Sequence, residues 1–157
     1  AQLSFICYDL SDLSQYTKSI STPLYRMLRN YLPGPYTFIL PASKQVPRIL
    51  KSKKDTIGLR VPDNKIALEL VKELGHPILS SSLPGKFNDG PSAKAPQALP
   101  VEEYTDPEVI HDKFEHLVDI VVDGGIGGIV PSTVVDCTRE EPEVIRLGLG
   151  VWETEVD

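Results

Sequence analysis

Apolar residues recur along this chain at two spacings, one typical of β-strands and one typical of helices. Short runs rich in β-branched and aromatic residues predict strands. The predicted strands are Leu3–Tyr8, Tyr36–Leu40, Thr56–Val61, Pro77–Leu79, Val118–Val122, Thr133–Cys137 and Val144–Leu147. Because helices are predicted between most of them, the pattern indicates an α/β fold, a twisted sheet with flanking helices. The short links between the closing strands predict a mixed sheet with antiparallel pairs.

Capping residues mark where the predicted helices begin, because a side-chain oxygen there satisfies an unpaired backbone N–H group. The expected starts are Ser11, Thr22 before Pro23, Asp63 or Asn64, and Asp106 before Pro107. The buried faces of the second and third helices are predicted at Leu24, Met27, Leu28 and Tyr31 and at Ile66, Leu70 and Leu74. Gly75 is expected to end the third helix, and the fourth is expected to run to His116.

One stretch differs in character from the rest of the chain. Residues 87–105 hold Gly90 and three prolines with few large apolar residues, which predicts a long surface loop or lid. No internal repeat divides the sequence. We therefore expect one domain over residues 1–150 and a C-terminal tail over residues 151–157.

Length and composition fit a globular domain. The chain has 157 residues, of which 41% are hydrophobic and 24% charged, so it needs neither disulfides nor a metal to fold. A net charge of −6 argues against a non-specific nucleic-acid coat but leaves room for a local basic groove. Five positive charges lie at Lys44, Arg48, Lys51, Lys53 and Lys54. Charge patterning favours a solvated surface for them over a binding patch.

Cysteines, histidines and apolar runs limit the classes of function. Cys7 and Cys137 each lie in an apolar run, which indicates buried thiols in a reducing compartment. No Cys/His spacing predicts a metal site, and the three histidines are expected at the surface. No apolar run approaches the roughly 18 residues of a membrane span, so no membrane partner is expected. We expect a cytoplasmic protein without a tightly bound cofactor.

Polar residues at strand ends carry the candidate chemistry. The chain lacks a GxxxxGK[ST] phosphate loop, a GxGxxG turn and a GxSxG elbow. Instead, Arg60 and Arg146 interrupt apolar strands, Ser80 and Ser82 end another, and Ser132 opens a third. Ligands of open α/β sheets bind beyond strand ends, and arginine and hydroxyl groups suit a phosphate or carboxylate there. The competing interpretation is that the arginines only pair with acids, namely Asp63, Asp123, Asp136 or Glu143.

A glycine cluster at residues 124–128 offers a weaker signal. Successive backbone N–H groups can bind an anion. A plain turn is the simpler interpretation of this cluster, and we adopt it here.

Six segments, in order, resemble the YrdC-like superfamily. They are LPGPYTFIL (32–40), IGLRVPDN (57–64), PILSSSLPG (77–85), VDIVVDGG (118–125), PSTVVDCT (131–138) and EVIRLG (143–148). The resemblance implies a YrdC/RibB-like fold and a deep basic groove for nucleotide. By matching motifs, Arg60, Ser82, Ser132 and Arg146 would line that groove, and Ser80 lies beside them.

The resemblance also implies a reaction. Characterised members are L-threonylcarbamoyladenylate synthases, which join threonine, bicarbonate and ATP into an adenylate used to modify tRNA. ATP with Mg²⁺ would then be a substrate, and no metal site belongs to the protein itself. Arginines in the groove would offset the charge that develops as pyrophosphate leaves.

Two departures weaken the synthase interpretation, and the first of them, Ser82-Leu83, resembles the YciO branch of the family. Where synthases carry a TSAN-type sequence, this chain has Ser81-Ser82-Leu83-Pro84, so Pro84 replaces the asparagine of the site. The family's first strand and helix, and a Lys-x-Arg pair, would lie ahead of residue 1. As written, the chain is not expected to be a competent adenylate-forming enzyme.

The resulting hypothesis is a nucleotide- or RNA-binding YciO-like protein in tRNA threonylcarbamoyladenosine metabolism. Its expected partners are nucleotide and tRNA or double-stranded RNA, and a homodimer is left open. If the protein is an enzyme, it is a synthase-like nucleotidyltransferase or an enzyme that processes threonylcarbamoylated tRNA. The alternatives are a synthase whose basic N-terminal segment is absent here and a non-catalytic protein-interaction domain.

Overall fold

The computed structural model of the chain describes residues 3–83 and 104–153. The chain groups into two compact units, one formed by Ala1–Ser81 with Pro131–Asp157 and the other by Ser82–Val130. The first unit contains the sheet, and the second contains the helix α4 (Pro107–Phe114). Most of the predicted loop at 87–105 lies outside the described residues. The expectation of one domain over residues 1–150 stays a prediction.

Six strands of the first unit form one mixed sheet. They are β1 (Ser4–Ile6), β2 (Tyr36–Pro41), β3 (Thr56–Arg60), β4 (Ile78–Ser80), β5 (Thr133–Asp136) and β6 (Glu143–Arg146). Their order across the sheet is β4-β1-β3-β2-β5-β6. β1 is parallel to β3 and β2 is parallel to β5, while the other three neighbouring pairs are antiparallel. The predicted mixed sheet with flanking helices is therefore confirmed.

Three helices of the first unit begin at side-chain caps. Asp9 caps α1 (Leu10–Ser14), and its Oδ1 accepts from the Asp12 N–H at 2.7 Å. Ser21 caps α2 (Thr22–Tyr31), one residue before the predicted Thr22. Asn64 caps α3 (Lys65–Leu74), which ends as predicted at Gly75 with φ of 74°. The predicted caps of α1 and α2, Ser11 and Thr22, are therefore wrong. In each case another side chain that can accept the same hydrogen bond lies just upstream.

The hydrophobic core lies against one face of the sheet. Phe5 pairs with Leu59, Leu59 with Phe38, and Phe38 with Val135, so one apolar row crosses the four central strands. All four side chains are buried, and Leu13 of α1 and Leu28 of α2 cover them. The predicted apolar face of α2 is confirmed, since Leu24, Met27 and Tyr31 also pack against this cluster.

The predicted buried face of α3 is wrong. Ile66, Leu70 and Leu74 are 41%, 42% and 52% exposed. The neighbouring stripe of the helix is buried instead, with Val71 in the interior and Leu68 packed on the core. Both stripes are apolar, and spacing alone identifies a stripe without showing which one the sheet covers.

The predicted strand at Val118–Val122 is also wrong. In the described part of the second unit this segment has no strand pairing, and Val118, Ile120 and Val122 are 45%, 78% and 55% exposed. A strand exists only where another strand completes its hydrogen bonds, and β-branched composition cannot supply that partner. The preceding helix α4 starts at its Asp106 cap as predicted but ends at Phe114, two residues before His116.

Other expectations about single residues are met. Cys7 and Cys137 are buried free thiols, and burial raises the pKa of Cys137 to about 12. All three histidines are exposed. Among residues 3–83 and 104–153, no helix is long and apolar enough to cross a membrane.

Candidate anion-binding face

The face of the sheet opposite the core carries polar side chains among apolar ones, such as Ile6 opposite Arg60 and Val134 opposite Arg146. Strand residues alternate between two faces, so the neighbours of the buried row point away from the core. They include Ser4 beside Phe5, Arg60 beside Leu59, and Thr37 beside Phe38. We call this surface the polar face, and its members are Ser4, Thr37, Arg60, Ser80, Ser132 and Arg146.

Hydrogen bonds link these side chains at the two sides of the sheet, between β4 and β1 and between β2 and β6. The Ser80 and Ser4 hydroxyls are 3.0 Å apart, and a Cβ on Gly58 would lie 3.1 Å from the Ser4 Cβ and 3.3 Å from the Thr37 Cγ2. Thr37 Oγ1 lies 2.9 Å from Ser132 Oγ, which accepts from Arg146 at 3.3 Å. Gly58 is therefore closely packed by its neighbours on β1 and β2, and a Cβ at this position would be crowded.

Arg60 is the least compensated charge on this face. Its side chain is half-buried, and its Nε is fully buried without a hydrogen-bond partner among the described residues. Burial and the positive charge of Arg146 both lower the pKa of Arg60. Burying a cation beside another cation is costly unless an anion joins them. This arrangement is therefore suited to a negatively charged ligand.

A bulge turns Arg146 onto the polar face. β5 and β6 pair at Asp136–Glu143 and Val135–Val144, but the next pair is Val134–Arg146, which skips Ile145. With regular alternation Arg146 would share the core side with Val144, because a shift of one residue exchanges the two faces. Bulges commonly redirect a side chain in this way beside functional sites. The redirected guanidinium donates to the Ser132 carbonyl from Nη2 at 2.8 Å and from Nε at 3.1 Å.

Ser132 is held in place by the chain that follows β6. Thr133 Oγ1 donates to the Gly150 carbonyl at 2.6 Å and accepts from the Gly148 N–H at 2.9 Å. Gly148 packs so closely that a Cβ there would overlap the Pro131 carbonyl oxygen and the Ser132 backbone. The serine and its neighbouring arginine are thus fixed by backbone contacts before any ligand arrives.

The two remaining predicted site residues differ in setting. Ser80 is half-buried, and its hydroxyl also donates to the Ser4 carbonyl at 3.1 Å, so part of its bonding capacity is used within the sheet. Ser82 is exposed and begins the second unit. The structure therefore brings Arg60, Ser80, Ser132 and Arg146 together on one sheet. Their binding role, and that of Ser82, stays a prediction.

Three of the four acids proposed as alternative partners of the arginines contact other groups. Among the described residues, no ion pair includes Arg60 or Arg146. Glu143 lies 3.9 Å from Arg139, and the carboxylate of Asp136 accepts from Thr138. Asp123 accepts from the Gly125 N–H at 2.9 Å. Within the described part of the chain, no acid therefore forms an ion pair with either arginine.

The glycine cluster at 124–128 lies in the second unit. Gly125 adopts a φ of 84°, and its N–H is taken by Asp123, while the Gly127 N–H donates to the Thr105 carbonyl at 2.8 Å. These internal bonds fit the interpretation of the cluster as a turn.

Thr37, Ser4 and Gly58 were missed in the sequence. The available signal was their position, since Thr37 and Gly58 each lie between buried strand neighbours and Ser4 directly precedes the buried Phe5. Thr is common in strands for packing reasons alone, so composition gave no reason to single them out. Only the pairing register shows that they lie between the predicted serines and arginines.

A separate cleft opens where the parallel strands β1 and β3 end. Its volume is about 500 Å³, and Arg29 and Lys65 face Asp9, Asp63 and Glu69 across an apolar floor. Neither Arg60 nor Arg146 lines it. Because its charges offset one another, this cleft lacks the excess positive charge that would select an anion. The described residues also contain no group of three side chains able to hold a metal.

Comparison with known proteins places this sheet in a known family. The Sua5/YciO/YrdC family model, described as "Telomere recombination", matches residues 1–148. An uncharacterized protein of Haemophilus influenzae is 48% identical over 151 residues, covering 94% of this chain and 66% of that protein. YciO of Escherichia coli is 43% identical with the same coverage. The chain thus spans 66% of the length of these relatives.

Comparison with solved structures points to the same family as the comparison of sequences. The crystal structure of E. coli YciO matches with a TM-score of 0.80 at 40% identity, over 96% of this chain and 67% of that one. Pyrococcus abyssi Sua5 complexed with L-threonine matches with a TM-score of 0.75 at 28% identity, over 94% and 40%. The sequence resemblance and the fold that it implied are confirmed, and this chain belongs to the Sua5/YciO/YrdC family.

Proposed function

We propose that the polar face binds the phosphate of a nucleotide, as part of a YciO-like protein that acts in tRNA threonylcarbamoyladenosine metabolism. The observation that carries this proposal is Arg60, a half-buried guanidinium with an unpartnered Nε beside a second arginine. An anion placed between Arg60 and Arg146 would offset both charges. ATP, with Mg²⁺ as its counterion, is the first ligand to test.

The hydroxyl groups around the arginines suit the same ligand. The Ser132 and Thr37 hydroxyl oxygens lie 2.9 Å apart and bond to each other, which leaves one of the two groups able to donate to a ligand. Preorganised donors cost little reorganisation when a charged group arrives. A cytoplasmic location fits two buried thiols, because free cysteines persist in a reducing compartment.

A synthase activity is the second candidate, supported by the relationship to Sua5. The threonylcarbamoyl-AMP synthase of P. abyssi is 31% identical over 137 residues, covering 87% of this chain and 36% of that protein. Its structure with L-threonine shares the fold. The sequence position where synthases carry asparagine is Pro84, which lies outside the described residues. The substitution favours the YciO-like function over adenylate formation.

The two candidates are separated by product analysis. The protein is incubated with ATP, threonine and bicarbonate, pyrophosphate release is followed, and the adenylate is sought by mass. Release that requires both threonine and bicarbonate would establish a synthase with Pro84 tolerated. Binding of ATP without release would support the YciO-like function, and threonylcarbamoylated tRNA would be the next substrate. If the protein neither binds ATP nor releases pyrophosphate, the nucleotide proposal is wrong.

A further inference from the structure

The segment at residues 44–54, here called the basic loop, carries the densest positive charge of the sequence. Five cations lie within it, at Lys44, Arg48, Lys51, Lys53 and Lys54, and it contains no acidic residue. The chain as a whole has a net charge of −6, so this is a local reversal of sign. A reversal of this kind creates a field that attracts polyanions.

The loop is anchored rather than loosely attached. Val46 is 2% exposed, and Leu50 packs against the core from the short 3-10 helix Arg48–Leu50. Ser52 Oγ accepts from the backbone N–H groups of Lys54 and Thr56, each at 3.1 Å. The fold therefore fixes the loop backbone from which the lysines extend. A fixed backbone loses less conformational entropy when a partner binds.

The cations of this loop are directed to solvent. Lys44, Arg48, Lys53 and Lys54 are exposed, and Lys51 is half-buried. No ion pair between described residues uses any of them. The loop also presents no aromatic residue and one large exposed apolar side chain, Ile49 at 89%. Such a surface suits phosphate groups rather than stacked bases or the apolar centre of a protein interface.

We propose that the basic loop binds the phosphate backbone of a folded RNA, at a place distinct from the polar face. β3 begins at Thr56, two residues after Lys54, and ends at Arg60, so a strand of about 13 Å at 3.3 Å per residue separates the two sites along the chain. This inference rests on the proposed function, because it assigns the surface that would hold the RNA while the arginines hold a nucleotide.

The test is the salt dependence of RNA binding by two matched variants. Lys53→Glu with Lys54→Glu reverses two loop charges, and Arg26→Glu with Lys72→Glu reverses two exposed charges on the helices α2 and α3 of the first unit. Both variants have the same net charge. The probe is an in vitro transcribed tRNA, titrated into the full chain at several KCl concentrations. Binding of ATP is measured on the same samples.

The loop variant should bind the tRNA about tenfold more weakly at low salt, and the slope of log K against log [KCl] should fall by about 1 to 2 units. The control variant should keep the wild-type slope, and ATP affinity should be unchanged in both. Arg48→Glu, an independent change in the loop, should weaken RNA binding in the same direction.

Two results would overturn the inference, and a third would support it while removing the nucleotide proposal. Equal weakening in both double variants would mean that net charge alone governs binding. Binding of anionic lipid vesicles or polyglutamate that is lost in the loop variant, with no tRNA binding by the wild type, would assign the loop to another partner. Loop-dependent tRNA binding without ATP binding would leave the RNA surface standing and remove the nucleotide proposal.

Discussion

The two faces of the sheet in the first unit are built from the same strands but treat charge in opposite ways. On the core face, Phe5, Leu59, Phe38 and Val135 form a buried row, and the neighbouring thiols are held uncharged. On the polar face, Arg60 and Arg146 bring two like charges together with no acid between them in the described structure. The core face thus stabilises the fold, while the buried charge of Arg60 on the polar face destabilises it.

That contrast indicates which residues were selected for function. A row that serves only stability buries apolar area and leaves no polar group unpaired. Arg60 breaks this rule at a central strand, where a hydrophobic residue of similar volume would pack without cost. A bulge and a tightly packed glycine then bring Arg146 and Ser132 to the same surface. Local rules of folding that are broken together at one place are expected at binding sites.

The largest expected effect is on the core face. Phe38→Ala removes a fully buried ring from the centre of the apolar row. We expect a loss of about 3–5 kcal/mol in the free energy of unfolding, because a cavity remains where the ring was. Urea unfolding followed by the fluorescence of Trp152, the only tryptophan, measures it. A loss below about 1 kcal/mol would contradict the assignment of the core to this face.

The next effect concerns the backbone support of the polar face. Gly148→Ala places a Cβ against the Pro131 carbonyl, so the segment that carries Ser132 must shift. We expect about 1–3 kcal/mol of destabilisation, a typical cost of overpacking, together with weaker ATP binding. Gly128→Ala is the control, since a Cβ there meets nothing within 4 Å. Equal effects of the two substitutions would argue against this support.

A smaller effect is expected at the hydroxyl groups of the polar face. Ser132→Ala removes one donor beside Arg146, and ATP affinity should fall by about 0.5–1.5 kcal/mol, the net value of one hydrogen bond. Stability should change less, because Arg146 keeps its bonds to the Ser132 carbonyl. Isothermal titration of ATP checks this, with Ser14→Ala as the control at an exposed serine on α1. Equal affinities for both variants would contradict it.

The smallest effect at neutral pH is that of the buried thiol. The pKa of Cys137 is raised from 9.0 to about 12 by burial, so its stabilising contribution is complete below pH 9 and is lost as the pH rises toward 12. Relative to Cys137→Ala, the free energy of unfolding of the wild type should fall by at most about 1.4 kcal/mol per pH unit between pH 9 and pH 12. Urea unfolding at pH 8 and pH 10 measures the difference. A constant difference between the two proteins would contradict a buried, neutral thiol.

Much of the fold could be predicted from the sequence, because short-range rules determine it. Alternation predicted the six strands that form, and Asn64 and Gly75 marked the ends of α3. The errors arose where a partner decides the outcome. Spacing could not tell which stripe of α3 faces the sheet, and composition could not reveal that Val118–Val122 lacks a neighbouring strand.

The candidate site was predicted in part for the same reason. Arg60 and Arg146 stood out because a charge in an apolar strand needs an explanation. Their proximity depends on the strand order and on the bulge opposite Val134, both of which are set by long-range pairing. Thr37 and Ser4 could not be predicted as site residues, because only the strand pairing shows that they lie on the same face as those arginines.

The central claim is that Arg60 costs stability in order to bind an anion, and thermal unfolding of Arg60→Met with and without ATP tests it most directly. Methionine keeps most of the volume while removing the buried charge. Arg139→Met, at an exposed arginine of the same unit, is the control. We predict that Arg60→Met unfolds at a higher temperature than the wild type, by an amount equivalent to about 1 kcal/mol or more, and loses the stabilisation that ATP gives the wild type. A lower unfolding temperature together with an unchanged ATP shift would show that Arg60 is structural and would contradict the account.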